Sequence, residues 1–98
     1  MYKIYLANSG DVAVFLEDGT HLASSTGTTP EADLIASGQF RHCYVARSFV
    51  DALDRIPLMY HGEEYPVSLW LLKITELSKK LRDKTPVRRV YKSMGGML

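Results

Sequence analysis

The chain of 98 residues has one cysteine and no long apolar run, and both shortages narrow what it can be. With Cys43 alone no internal disulfide can form, so the small secreted proteins that depend on disulfides are excluded. No uninterrupted apolar run exceeds the five residues Val12 to Leu16, far short of the ~20 residues that cross a bilayer. Residues 1–11 also lack the basic start and long apolar stretch of a secretory signal. We therefore expect a cytoplasmic protein without a membrane partner.

Arrangements typical of catalysis and cofactor binding are also scarce. His42 and Cys43 are adjacent, but neighbouring side chains of a strand point to opposite faces, so they cannot form a thiolate–imidazole pair. The three histidines, with Glu63 and Glu64, lack the short spacings that make a metal site specific. The polar loop 24–29 matches neither glycine-rich nucleotide motif. We expect no enzyme activity, no metal and no cofactor, and we expect Cys43 to be a small buried apolar residue.

What remains is an ordinary globular composition. The hydrophobic fraction is 46% and the charged fraction 23%, which argues against disorder over the whole chain. A chain of this length forms one domain with one modest core. We assign residues 1–92 to that domain and residues 93–98, which include Gly95 and Gly96, to a flexible tail.

The first half of the chain shows the pattern of an antiparallel sheet. Three alternating segments predict a meander of strands over 2–6, 12–17 and 20–23. Between the last two strands, Asp18-Gly19 is the pair that best tolerates the positive φ angles of a type I′ turn. A fourth strand is predicted over 40–46. A short helix precedes it, with Thr29 as N-cap and Pro30 as the first helical residue.

The second half is predicted to be mainly helical. Ser48 can cap a second short helix that Pro57 ends, and residues 58–65 predict a hairpin or an ordered loop. The longest helix then runs from Pro66 to about Asp83, and a last strand is predicted from Val87 to Tyr91. The fold class is therefore α+β. We expect an antiparallel sheet of three to five strands, one long C-terminal helix packed on a face and two short connecting helices.

The first turn of the long helix is apolar on nearly all sides. Trp70, Leu71 and Ile74 define the stripe that should face the sheet, and Leu69 and Leu72 flank that stripe. Either neighbours within the domain cover these two leucines, or they meet a partner chain, which includes a second copy in a homodimer.

Charge is divided unequally along the chain. Residues 1–40 carry one lysine against five acidic residues, a formal charge of −4, whereas residues 41–98 carry +5. Seven of the twelve cations fall within fourteen positions near the C-terminus: Lys79, Lys80, Arg82, Lys84, Arg88, Arg89 and Lys92. The first four belong to the end of the long helix, where the helix dipole favours cations without any ligand.

Arg88, Arg89 and Lys92 lie beyond the predicted helix and need another explanation. Together with Tyr91 they could hold phosphates and stack a base. They could equally pair with the acidic residues between 11 and 18, or meet an acidic protein surface.

These observations favour a non-catalytic protein-binding module, such as a small inhibitor, adaptor or accessory factor of the kind that phages and mobile elements encode. The alternative is a nucleic-acid-binding protein that uses the basic segment Lys79–Lys92, although a pI near 7.9 is low for that class. The expected partner-binding residues are Arg88, Arg89, Tyr91, Lys92, Lys84, Leu69 and Leu72.

Overall fold

The computed structural model describes residues 1–84. The elements are β1 (Tyr2–Ala7), β2 (Val12–Leu16), β3 (His21–Ser24), α1 (Glu31–Ala36), β4 (Phe40–Ala46), α2 (Phe49–Tyr60) and α3 (Val67–Lys84). The strands form one antiparallel sheet in the order β3-β2-β1-β4. This is the predicted α+β architecture, with four strands and the longest helix last. The predicted strand over Val87–Tyr91, the domain limit at residue 92 and the tail 93–98 lie outside the described residues.

The alternation of β1 and β2 places apolar side chains on both faces of the sheet. On one face, the buried residues of the strands pack under α2 and α3; they include Ile4, Leu6, Val12 and Val14. On the other face, a smaller cluster packs under α1; it contains Tyr5, Ala13, Phe15 and Leu34. The main core therefore lies between the sheet and the helix pair, and α2 shares this layer with the long helix.

Both hairpins of the meander close with the same turn, and neither turn is type I′. The Gly10 N–H donates to the Ala7 carbonyl and the Gly19 N–H donates to the Leu16 carbonyl, each at 2.9 Å. The two glycines have φ angles of 98° and 93°, and no other residue type within 1–84 has a positive φ. Each loop is thus a type I turn followed by a glycine bulge. The predicted type I′ turn is wrong because it would require a positive φ at Asp18 as well.

Helix α2 is longer than predicted. Ser48 caps it as expected, since its Oγ accepts a 3.0 Å hydrogen bond from the N–H of the third helical residue. The helix continues through Pro57 to Tyr60, so the predicted stop at Pro57 is wrong. Of the hairpin or ordered loop predicted over 58–65, the hairpin is wrong and a loop is present only over 61–65. A proline inside a helix costs about 3 kcal/mol. Packing of the last turn offsets that cost, because the Tyr60 ring lies 5.1 Å from the ring of Trp70.

Helix α1 begins one residue later than predicted. Pro30 occupies the N-cap position, and no side chain caps the helix, so the predicted cap at Thr29 is wrong. Contacts of Glu31 with the sheet fix the helix start instead. The Lys3 Nζ lies 2.6 Å from the Glu31 carboxylate, and the Tyr5 hydroxyl donates a hydrogen bond to the same group.

Helix α3 packs on the sheet through one stripe of side chains. Trp70, Ile74 and Leu77 are buried, as the sequence periodicity predicts. The indole Nε1 of Trp70 also donates a 2.8 Å hydrogen bond to the Ala7 carbonyl at the end of β1. None of the helices within residues 1–84 combines the length and the apolar character needed to cross a membrane.

Candidate partner-binding surface

Exposed leucines lie on the outer side of the two-helix layer. Leu69 is 45% exposed and Leu72 is 54% exposed, so other residues of the described chain leave much of each side chain open to solvent. On the neighbouring helix α2, Leu58 is 80% exposed. The opposite side of each helix packs on the sheet, as the complete burial of Ile56 and Trp70 shows. We call Leu58, Leu69 and Leu72 the outer leucines.

The turn between β1 and β2 packs against the Leu69 side chain. A methyl group placed on Gly10 would lie 2.8 Å from Leu69 Cδ1 and 3.2 Å from its Cβ. The Leu69 side chain therefore packs directly against the backbone of the turn. Gly10 permits this contact because it carries only a hydrogen atom where other residues have Cβ. This contact fixes the position of one outer leucine.

An ion pair joins the same turn to the next part of α3. Lys73 Nζ lies 2.9 Å from Asp11 Oδ1, and the hydroxyls of Ser9 and Ser25 each donate to the Asp11 carboxylate at 3.0 Å. The hydrogen bond from Lys73 is the main reason that the pKa of Asp11 lies below its ordinary value, and the serine hydroxyls act in the same direction. Asp11 is thus a charged residue with three polar partners, and its ion pair with Lys73 joins the turn to the helix that carries Leu69 and Leu72.

Two further acidic residues of the N-terminal half also have cationic partners. Glu17 lies 3.6 Å from the amino group of Met1, and Glu31 binds Lys3. The Lys3 ammonium is the leading cause of the lowered pKa of Glu31. Three of the five acidic residues in 1–40 thus already have a local cationic partner. Two of the three, Asp11 and Glu17, were among the residues expected to pair with the basic C-terminal segment if that segment binds within its own chain.

Most of the contact residues predicted in the basic segment lie beyond residue 84. Arg88, Arg89, Tyr91 and Lys92 lie outside the described residues, so their contacts stay a prediction. Lys84 is the last residue of α3. Fifteen positions along a helix separate it from Leu69, a distance of about 22 Å, so the leucines and Lys84 are at opposite ends of α3.

A cluster of aromatic rings at the junction of β4, α2 and α3 was not predicted from the sequence. The His42 ring lies 5.4 Å from Tyr60, 4.8 Å from Tyr65 and 5.9 Å from Trp70, measured between ring centroids. Its Nε2 lies 3.1 Å from Asn8 Oδ1. These contacts make His42 a packing residue that holds the α2–α3 connection against the sheet.

Cys43 points to the opposite face of the sheet from His42, as the strand alternation predicts. It pairs with Tyr5 across the β1–β4 ladder. The prediction that Cys43 is buried is wrong, because β4 is an edge strand and the short helix α1 covers only part of that face. Desolvation of the sulfur nevertheless raises the pKa of the Cys43 thiol, which disfavours the nucleophilic thiolate.

Local sequence patterns offer no reason to include Leu58, because Pro57 predicts the end of its helix. Treating residues 49–60 as one helix would have placed Leu58 on the side opposite Ala52 and Ile56.

Within residues 1–84, no group of three histidine, cysteine or acidic side chains is arranged to hold a metal ion. No protein-family model, no curated protein and no solved structure matches this chain.

Proposed function

We propose that this chain is a non-catalytic protein-binding module that acts in the cytoplasm by contact, as a small inhibitor, adaptor or accessory factor. The observation that most supports this proposal is the exposure of the outer leucines on the two-helix layer. Isolated exposed leucines are common on monomers. These three are contributed by two adjacent helices, which the aromatic cluster joins to each other and the Asp11–Lys73 pair joins to the β1–β2 turn. A pre-positioned apolar surface loses little entropy when it binds.

The proposed interface has an apolar centre and a cationic rim. Leu69 and Leu72 would be desolvated at the centre, where most binding energy arises. Lys79 and Lys80, which are exposed further along α3, would lie at the rim. Rim charges mainly guide association and select partners of opposite sign. The partner that fits is therefore a protein surface with an apolar groove and acidic residues beside it.

Affinity capture with matched surface variants tests this proposal. Leu72→Glu places a charge at the proposed centre, and Ile35→Glu makes the same kind of change on α1, on the other face of the sheet. Leu72 is 54% exposed and Ile35 is 56% exposed, so the two changes disturb folding equally little. We expect the wild type and Ile35→Glu to retain the same protein from a lysate of the producing cells, and Leu72→Glu to lose it. Equal retention by both variants, or no saturable partner, would reject the proposal.

A second copy of the chain is the other partner that would bind at Leu69 and Leu72. Sedimentation at several concentrations separates this case from capture of a different protein. A monomer at all concentrations, together with capture that Leu72→Glu abolishes, supports a different protein as partner. A dimer that Leu72→Glu dissociates assigns the surface to self-association.

The alternative function is nucleic-acid binding through Lys79–Lys92. It is supported by the exposure of Lys79 and Lys80, which begin this segment on α3. A titration with a short duplex and a single strand at several salt concentrations tests it, because removing a cation that binds a phosphate lowers the salt dependence of binding. Binding that does not change in Arg88→Ala and Arg89→Ala would rule out this use of the segment.

A further inference from the structure

A small cavity lies between the edge strand β3 and the C-terminal half of α3. Its volume is about 160 Å³, several times the ~30 Å³ that one water molecule occupies in the liquid. The polar residues that line it are His21, Ser24, Thr26, Thr28 and Lys80. No carboxylate lines this cavity among the residues that the structure describes, so the charge it presents is that of a cation.

Two hydrogen-bond donors at this cavity are free for a ligand. Among the side chains that the structure describes, those of residues 1–81, Thr28 makes no hydrogen bond, and the Lys80 side chain makes neither an ion pair nor a hydrogen bond. Two other lysines of α3 are not available to this cavity, because Lys73 pairs with Asp11 and Lys79 does not line the cavity. Lys80 is therefore the ammonium group positioned to meet a ligand there.

The wall opposite Lys80 is held in place by Ser24. Its hydroxyl donates to the carbonyls of Thr26 and Gly27, at 2.9 and 3.1 Å. Because that hydrogen is already used, Ser24 Oγ can only accept from His21 Nε2, which lies 3.3 Å away. The His21 ring is further held by an edge contact with the Phe15 ring, 5.3 Å between centroids. The strand and loop that carry Thr26 and Thr28 thus form an ordered side of the cavity.

We infer that this cavity is a binding site for a tetrahedral oxyanion, a phosphate group either free or carried on a small molecule. Lys80 would supply the positive charge, and the hydroxyls of Thr26 and Thr28 would supply neutral donors. A phosphate oxygen accepts such donors readily, and charge-assisted hydrogen bonds are the stronger kind. This inference goes beyond the proposed protein-binding function and does not depend on it: the two proposals share Lys80, but the outer leucines do not line the cavity.

An NMR titration of the full chain with inorganic phosphate at pH 7 tests the inference, with chloride added to hold the ionic strength constant. We expect saturable shifts of the amides at 24–28 and 77–81, with a dissociation constant of millimolar order. Lys80→Ala should weaken binding by about tenfold, the usual effect of losing a hydrogen bond to a charged group. The matched control Lys79→Ala removes the same charge from the neighbouring position and should leave binding within about twofold.

A second arm uses adenosine monophosphate and so separates the two sources of the phosphate group. Binding at least as tight as that of inorganic phosphate, with the same dependence on Lys80, identifies a phosphate carried on a small molecule. If inorganic phosphate binds and adenosine monophosphate does not, the ligand is the free phosphate ion. Shifts that rise linearly with phosphate, or that fall equally in Lys79→Ala and Lys80→Ala, would overturn the inference, because they report only screening of the basic segment.

Discussion

The indole Nε1 of Trp70 donates a 2.8 Å hydrogen bond to the carbonyl of Ala7, and the Trp70 side chain is fully buried. This bond joins the first turn of α3 to the last residue of β1. It lies beside the Leu69–Gly10 contact, and together they set the position of α3 from which Leu69 and Leu72 project.

Removal of the Trp70 side chain should therefore be costly. We expect Trp70→Ala to lower the free energy of unfolding by about 3–5 kcal/mol, the usual range for a buried aromatic residue. Trp70→Phe keeps much of the volume but leaves the Ala7 carbonyl without its donor, so a loss of about 1–3 kcal/mol is expected. Urea denaturation followed by circular dichroism measures both. A loss near zero for Trp70→Ala would mean that the indole is not buried in solution.

Gly10 should be more sensitive to substitution than another loop glycine. Gly10→Ala forces a side chain into a φ of +98° and against Leu69, and we expect it to cost about 1–3 kcal/mol. Gly27 has no positive φ and no neighbour within 4 Å, so Gly27→Ala should change stability by less than about 0.5 kcal/mol. The double variant Gly10→Ala/Leu69→Ala should lose less than the sum of its single changes, because the shortest contact, at 2.8 Å to Leu69 Cδ1, is removed and only the 3.2 Å contact to Cβ remains. Additive losses would show that Leu69 does not contact the turn.

The Asp11–Lys73 pair should stabilise the fold in a pH-dependent way. The pKa of Asp11 is lowered in the folded state, mainly by Lys73, from an unfolded value of about 3.9. Its contribution is therefore present above about pH 4 and is lost as the pH falls through the folded pKa. Lys73→Met should cost about 1 kcal/mol at pH 7 and almost nothing near pH 2.

Lys79→Met is the control for this measurement, because none of the described side chains, those of residues 1–81, forms an ion pair with Lys79. We expect its free energy of unfolding to follow that of the wild type from pH 7 to pH 2. A cost of Lys73→Met that is the same at both pH values would indicate poorer packing of the side chain rather than the absence of a charge pair.

Much of this fold could be predicted from local sequence patterns. The alternation in β1, β2 and β4 and the cap at Ser48 are local signals, and the stripe of Trp70, Ile74 and Leu77 follows helical periodicity. The errors occurred where distant residues decide the local structure. Pro57 remains helical because packing of Tyr60 on Trp70 outweighs the missing backbone hydrogen bond.

The candidate surface was only partly predictable for the same reason. Helical periodicity places Leu69 and Leu72 beside the buried stripe, but their exposure depends on which elements pack above α3. Leu58 was missed because the sequence pattern ends its helix one residue earlier. The aromatic contacts of His42 bring together residues that are 18 to 28 positions apart in sequence, and no local pattern carries that information.

Pro57 offers a direct test of the helical assignment around Leu58. If the chain is helical through Tyr60, Pro57→Ala restores a backbone donor and removes a poor helix former. We expect the free energy of unfolding to rise by about 1–3 kcal/mol, measured by thermal and urea denaturation. A decrease would indicate that the helix ends at Pro57, as the sequence alone suggests.

The most direct test of the proposed function is hydroxyl-radical footprinting of the captured complex, which measures solvent access to individual leucine side chains. In the free chain, Leu58, Leu69, Leu72 and Ile35 should all be oxidised, because each is at least 45% exposed. In the complex, we predict that oxidation of Leu69 and Leu72 falls several-fold while that of Ile35 is unchanged. Protection of Ile35 with no protection of Leu69 or Leu72 would contradict the assignment of the partner to this helix surface.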